Sequence, residues 1–103
     1  MNNDLFAGML GLCRKAGKIS VGHDESKLSV KNKKAFLCIL SSDSSKRLQK
    51  EFETFCSQSG TALVTVEYTM EQFLYIIGSK AAVITVNDEN LSKKLMTYRE
   101  VNI

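Results

Sequence analysis

The sequence predicts an α/β fold, a three-layer α/β/α sandwich with a mixed sheet of about four strands. Stretches with apolar residues at helical spacing alternate with short apolar runs from end to end, beginning with a helix. This alternation is typical of one sheet covered by helices on both faces, with right-handed crossovers between its parallel strands. The 103 residues include no proline, no low-complexity segment and no repeat, so one domain over residues 1–103 is expected.

The first third of the chain predicts a helix, a strand and a second helix. Residues 3–16 have helical spacing and Gly17 ends that helix, while the run 19–21 predicts a short strand. The next helix, 23–32, begins with acidic residues and is poor in large apolar ones, so we expect it to pack thinly. The apolar side of the first helix comprises Leu5, Phe6, Met9, Leu10, Leu12 and Cys13.

The rest of the chain repeats the alternation. The continuous apolar run 35–40 predicts a strand buried on both faces, and the serines after it are N-cap candidates for the next helix. Gly60 and Gly78 are placed to end helices, and Thr69 to begin one. The predicted elements are a helix over 44–58 with core residues Leu48, Phe52, Phe55 and Cys56, a strand over 63–66, a helix over 70–77 burying Phe73, Leu74, Ile76 and Ile77, a strand over 82–86, and a helix over 90–98.

Cysteine usage and hydropathy predict a cytoplasmic protein. Cys13, Cys38 and Cys56 are widely spaced with no CxxC pair, which argues against a zinc site or a redox pair. We expect three small core thiols, which suit a reducing compartment. No apolar run approaches the roughly 18 residues that a membrane span needs, and the N-terminus does not resemble a signal peptide.

The positive charge is concentrated early in the chain. Residues 1–34 carry seven Lys and Arg against three Asp and Glu, a net +4, whereas residues 35–103 carry seven against eight, a net −1. Basic charge gathered in one segment is typical of a phosphate-binding surface, although a solvated lysine-rich surface gives the same pattern.

Catalysis, metal binding and cofactor binding have little support. A nucleophilic pair would need Cys13 or Cys38 close to His23, and nothing in the sequence fixes that geometry. Asp24 and Glu25 are adjacent on a predicted helix and point about 100° apart, so they do not face one substrate atom. Because no glycine-rich phosphate loop and no metal-ligand spacing is present, we expect neither a cofactor nor a metal.

Several stretches together resemble one protein family. Residues 10–19 read LGLCRKAGKI and are similar to the pattern LGLARKAGK; residues 33–45 resemble GKAKLVLLAEDAS; residues 77–80 and 83–89 resemble IGKP and VVVAVTDE. These patterns belong to small bacterial members of the ribosomal protein superfamily that includes the archaeal kink-turn binder L seven-Ae and its L thirty-e relative. The resemblance covers nearly the whole chain and implies the same α/β/α sandwich.

The resemblance also implies RNA binding, often to kink-turns with tandem sheared G·A pairs. The family signature is a glycine, any residue, Asn-Glu, and a lysine three residues after the Glu. Here Gly22 and Glu25 match, whereas Asp24 replaces the asparagine and Leu28 the lysine. Lys18 matches a lysine of the preceding strand, and residues 78–82 match a second contact loop that packs on a flipped base.

The two replacements change the chemistry that the signature offers. An ionised Asp24 only accepts hydrogen bonds, so it cannot donate to guanine O6 or N7 as an asparagine can. Leu28 carries no charge, and the neighbouring Lys27 lies about 100° around the helix. General RNA binding is therefore a firmer expectation than strict kink-turn recognition.

The sequence thus predicts a non-catalytic RNA-binding protein of the ribosomal type, with ribosomal or other structured RNA and the ribosome as candidate partners, and neither a membrane nor a small-molecule substrate. One alternative is a protein–protein adaptor on the same fold; another is a homologue of the substrate-binding domain of RNA methyltransferases that lacks the catalytic half. The predicted RNA-binding residues are Arg14, Lys18, Gly22, His23, Asp24, Glu25, Lys27, Leu28, Lys31, Lys33, Lys34, Gly78, Ser79, Lys80, Ala81 and Ala82.

Overall fold

The computed structural model describes residues 3–100 and confirms the predicted alternation of helices and strands. Boundaries shift slightly, since the second strand begins at Leu37 rather than at residue 35 and the third helix at Lys46 rather than at residue 44. In chain order the elements are α1 (Asn3–Lys15), β1 (Ile19–Val21), α2 (His23–Lys31), β2 (Leu37–Leu40), α3 (Lys46–Ser59), β3 (Ala62–Thr65), α4 (Met70–Ile77), β4 (Val83–Val86) and α5 (Glu89–Glu100).

The four strands form one mixed sheet in the order β1-β4-β2-β3. β2 and β3 are parallel, whereas β4 is antiparallel to both of its neighbours, β1 and β2. The central strands β2 and β4 are buried at every position, which confirms the predicted burial for Leu37–Leu40, whereas Phe36 of the same run precedes β2 and is 45% exposed. The edge strand β3 is half-buried, because one of its long sides has no neighbouring strand.

Two apolar clusters hold the layers together, one on each face of the sheet. On one face, α1, α4 and α5 contribute Phe6, Leu10, Phe73 and Leu95. These side chains pack against Leu37 and Ile39 of β2. On the other face Phe52 and Cys56 of α3 pack with Val30 of α2 and with Cys38 and Leu40. All three cysteines are buried and free, as the sequence predicted.

Three residues predicted to be core are largely exposed. Leu5 and Leu12 of α1 are 55% and 56% exposed, and Leu74 of α4 is 40% exposed. At 100° per residue, Leu5 and Leu12 lie more than 100° from the centre of the stripe formed by Phe6, Leu10 and Cys13. The predicted apolar side of α1 was therefore too wide, and only part of it faces the sheet.

Polar contacts attach α2 to the sheet. Its buried residues are Ser26, Ser29 and Val30, so it offers little apolar surface to the core, as expected from its composition. The Ser29 hydroxyl lies 2.6 Å from the Ser20 hydroxyl of β1, which accepts a hydrogen bond of 3.0 Å from the Asn87 side-chain amide. Thr85 of β4 donates in turn to the Asn87 side-chain oxygen at 3.1 Å.

The predicted helix caps are present at α3 and α4. The Ser45 hydroxyl accepts from the Leu48 N–H, and Thr69 forms a reciprocal capping box with Gln72. Side chains therefore satisfy N–H groups at the N-terminal ends of both α3 and α4. The N-terminal end of α2, described below, differs because none of the described side chains caps it.

Candidate nucleic-acid interface

The N-terminal end of α2 is open because Gly22 turns the chain sharply into it. Gly22 has φ 93°, a left-handed value that strains any residue with a Cβ. Its N–H donates to the Val83 carbonyl at 2.9 Å, and its carbonyl accepts from the Ser26 N–H at 3.0 Å. Within residues 3–100 no side chain caps the helix, so its first N–H groups and the positive end of its dipole face outward.

Three loops meet at this end of the sheet. The Gly22–Val83 hydrogen bond places the start of α2 beside the loop 78–82, and the Ser41 N–H donates to the Ala82 carbonyl at 2.9 Å on the other side. Residues 22–25, 41–45 and 78–82 are called the loop edge below. The structure thus brings together the two regions that the sequence marked as separate contact sites, 22–25 and 78–82.

His23 is fixed between two carboxylates at the loop edge. Its Nδ1 lies 3.0 Å from Asp24 Oδ1 and its Nε2 lies 3.0 Å from Glu51 Oε1, while its ring meets Phe52 edge-on with centroids 5.6 Å apart. Two carboxylate acceptors require both ring nitrogens to donate, which only the protonated imidazole does. The hydrogen bonds to Asp24 and then Glu51 accordingly raise the pKa of His23 above its usual 6.5.

The signature positions of α2 face solvent. The Asp24 side chain is 96% exposed, Glu25 is exposed, and Leu28 is 57% exposed. The Lys27 ammonium lies 5.2 Å from the centroid of the Phe55 ring on α3. Lys27 is therefore turned toward α3 and does not take the place that Leu28 leaves without a charge.

The predicted basic residues do not gather at the loop edge. The Lys18 carbonyl accepts from Asn87 at the opposite end of β1, and residues 33–36 reach that same end, where the Phe36 N–H meets the Val86 carbonyl. Lys31 lies over Phe55 at 5.3 Å, one turn beyond Lys27. Because α2 is about 12 Å long, these cations are spread along the helix and beyond its C-terminal end, away from the loop edge.

Other predicted residues fall into two groups. In the loop 78–82, Gly78 and Lys80 are exposed and Ser79 and Ala82 are half-buried, whereas Ala81 is only 8% exposed and offers little to a ligand. Arg14 is exposed but lies in a groove between α1 and α4.

Two pockets beside α2 were not predicted from the sequence. A cavity of about 410 Å³ is lined by His23 and by Ser45, Arg47, Leu48 and Glu51 from the start of α3. A smaller groove of about 290 Å³ runs along the other side of α2, lined by Ser20, Glu25, Leu28, Ser29, Asn32, Lys34 and Asn87. Glu51 is 28 residues from His23, and no local pattern connects them.

The nucleophilic pairs considered from the sequence are not assembled. Cys13 and Cys38 are buried in different apolar clusters, and both nitrogens of His23 face carboxylates. Burial is the main cause that raises the pKa of Cys13, which disfavours its thiolate. Within residues 3–100 no group of three His, Cys, Asp or Glu is arranged to hold a metal ion, and no helix is long and apolar enough to cross a membrane.

Comparisons with known proteins agree with this architecture. The model of the ribosomal protein L7Ae/L30e/S12e/Gadd45 family matches residues 6–96. A solved protein of unknown function from Bacillus halodurans is 26% identical, with a TM-score of 0.83 over 90% of this chain and 94% of that one. The Giardia lamblia 15.5-kD RNA-binding protein is 14% identical, with a TM-score of 0.76 over 94% of this chain and 83% of that one, a likeness of fold alone. No curated protein sequence matches.

Proposed function

Because the chain belongs to the ribosomal protein L7Ae/L30e/S12e/Gadd45 family, we propose that it is a non-catalytic protein of the ribosomal type that binds structured RNA at the loop edge. The observation that carries this proposal is the hydrogen bond of Gly22 to Val83. It holds the uncapped start of α2 against the loop 78–82, so that one RNA can contact both. The similarity to an RNA-binding protein of the same fold supports the proposal.

The chemistry of the loop edge suits a phosphate beside a base. The outward N–H groups and the dipole at the start of α2 attract an anion, and Lys80 adds a positive charge from the neighbouring loop. Asp24 and Glu25 supply carboxylate oxygens that accept from amino groups on base edges. Phosphate contacts then provide affinity, and the two carboxylates provide the choice of base.

Within this proposal, kink-turn recognition is weak. The Asp24 carboxylate cannot donate to a guanine, and Lys27 is turned toward Phe55 rather than toward the position of Leu28. We expect the protein to bind a kink-turn RNA more tightly than a plain hairpin by only a small factor.

A salt titration of binding to a kink-turn RNA and to a hairpin of the same length tests the proposal. The logarithm of the affinity for each RNA should fall linearly with the logarithm of the salt concentration. Lys80→Gln should weaken binding, whereas Lys93→Gln, the same change on α5 where Lys93 lies 3.7 Å from Glu89, should have little effect. Failure to bind either RNA at low salt would end the proposal.

A protein–protein adaptor is the second candidate, and the exposed Leu28 favours it. This side chain is 57% exposed on a helix that presents Asp24 and Glu25 nearby, a mixture found at the rims of protein interfaces. A complex with a partner protein that persists after nuclease treatment and is broken by Leu28→Asp would support the adaptor. The same complex unchanged by Leu28→Asp would exclude this surface.

We also propose a cytoplasmic location, because the three free cysteines suit a reducing compartment. Fractionation of cells over a sucrose gradient would show whether the protein travels with ribosomes, and a protein found only at the top of the gradient would exclude permanent ribosome association.

A further inference from the structure

We propose that the groove between α1 and α4 is a second RNA contact, which takes single-stranded nucleotides flanking the RNA at the loop edge. Tyr75 would stack on a base, while Arg14 and Lys15 would bind the adjoining phosphates. This inference rests on the proposed function and extends it to a surface outside the loop edge.

The groove lies beside the point where Gly11 lets α1 approach α4 closely. A Cβ on Gly11 would be 3.2 Å from the Ile76 carbonyl oxygen, a tight contact that a larger residue would relieve only by a small shift of the α4 backbone. Gly8 lies about one turn earlier in α1. Among the described residues, no atom lies within 4 Å of a Cβ placed on Gly8, so the groove is open at this position. The groove has a volume of about 560 Å³.

Tyr75 stands at the rim of this groove without a structural role. It is 83% exposed and points about 180° away from Phe73 and Ile77, the buried side of α4. Among the aromatic rings of residues 5–99, none contacts it. An exposed aromatic ring beside cations is the arrangement with which proteins stack unpaired bases.

The charge of the groove favours a polyanion. Arg14 and Lys15, in the last turn of α1, line it together with Tyr75, and none of the acidic side chains described by the structure contributes to its wall. Tyr75 precedes Gly78 by three residues, which is about 4.5 Å along a helix, so the groove adjoins the loop edge. An RNA bound at the loop edge therefore needs only a short single-stranded extension to reach Tyr75, and this continuity favours RNA over an acidic peptide.

Two RNAs, one with the duplex core alone and one with a five-nucleotide unpaired flank, distinguish the groove from the loop edge. Wild type should bind the flanked RNA about tenfold more tightly, from a stacking contribution of the usual size. Tyr75→Phe should keep this gain, and Tyr75→Leu, equally apolar but unable to stack, should abolish it. Lys80→Gln at the loop edge should instead weaken binding of both RNAs by the same factor.

The salt dependence tests the phosphate contacts separately. Arg14→Gln combined with Lys15→Gln should lower the salt slope for the flanked RNA by about 1.4, the value for two phosphates of a single strand. Lys93→Gln combined with Lys94→Gln removes the same charge on α5 and should leave the slope unchanged. A 2-aminopurine base in the flank should lose fluorescence on binding wild type, and should keep it with Tyr75→Leu.

Three results would overturn the inference. A flank that adds no affinity excludes the groove, as does a Tyr75→Leu variant that keeps the gain, since a general apolar contact would tolerate leucine. An acidic peptide that binds the groove while the flank does not would assign it to a protein partner. In each case the core RNA still binds, so the proposed function survives; loss of core binding in wild type is the distinct result that removes both.

Discussion

Replacing Asp24 by asparagine should increase affinity for a kink-turn RNA by roughly 10- to 100-fold. The side chain is 96% exposed, so the substitution meets no steric obstacle. Its Oδ1 remains an acceptor for the Nδ1–H of His23, which now lies 3.0 Å away, so the side chain should keep its orientation. The change adds the two amide donors that a carboxylate lacks.

The expected gain has two parts. An amide that pairs with a base edge through two hydrogen bonds contributes about 1–3 kcal/mol of discrimination. Removing one negative charge about 6 Å from a phosphate contributes about 0.7 kcal/mol in water, and less at physiological salt. Since 1.4 kcal/mol corresponds to a factor of ten, the donors rather than the charge account for most of the increase.

Fluorescence anisotropy with labelled kink-turn and hairpin RNAs would measure this effect. Glu53→Gln, which removes a negative charge from an exposed position on α3, is the matched control and should raise both affinities by less than threefold. If Asp24→Asn raises both affinities equally and no more than Glu53→Gln does, residue 24 does not read a base and the reasoning is refuted.

Three further predictions concern stability. The pKa of His23 is raised in the folded protein, so its contribution to stability is complete below the pKa of the unfolded chain, about 6.5, and is lost as the pH rises through the pKa of the folded protein. Urea midpoints measured against pH should show this loss in wild type and not in His23→Gln. NMR of the single histidine should report a pKa above 6.5. Gly22→Ala should lower the free energy of unfolding by about 1–2 kcal/mol. The cause is backbone strain and not a clash, since no described atom lies within 4 Å of a Cβ at Gly22. Gly8→Ala in α1 should instead raise the free energy of unfolding by about 0.5–1 kcal/mol, and equal effects of the two substitutions would contradict the argument from φ. Phe52→Ala should cost about 3–5 kcal/mol in denaturant unfolding, because the ring is fully buried and also supports His23 and Phe55, and a cost below 1 kcal/mol would contradict this packing.

The order of elements could be predicted because its signals are local. Thr69 lies three residues before Gln72, with which it forms the capping box, and the continuous run containing Leu37–Leu40 reports burial on both faces. Such signals involve residues close in sequence, so they hold whichever neighbours the element later acquires.

The exposure of side chains at the borders of apolar helix faces and apolar runs could not be predicted in the same way. Leu74 looks like a core residue in an isolated helix, and only the packing of α4 against its neighbours decides that it is 40% exposed. Phe36 belongs to the apolar run but precedes β2 and is 45% exposed. These outcomes depend on packing between elements, which no short window of sequence contains.

Some features of the candidate interface were indicated before the structure, and others depend on contacts between residues far apart in the sequence. Gly22 was singled out from the residues around it and the loop 78–82 from the family resemblance, and the structure adds that the Gly22 N–H donates to the Val83 carbonyl beside that loop. The partnership of His23 with Glu51 across 28 residues was not foreseeable, nor was the turn of Lys27 toward Phe55. The predicted RNA-binding residues do not form one surface, because Lys18 lies at the far end of β1 and Arg14 lines a groove between α1 and α4.

The hydroxyl and amide contacts that attach α2 to the sheet have a consequence for its dynamics. Hydrogen bonds such as those of Ser29 and Asn87 exchange for water at a small net cost, whereas displacing a buried aromatic ring exposes apolar area. Of the five helices, α2 should therefore detach most readily in local opening, ahead of global unfolding. A ligand held by its first turn would suppress that opening, so occupancy at Gly22 and amide-exchange protection at Val30 should rise together.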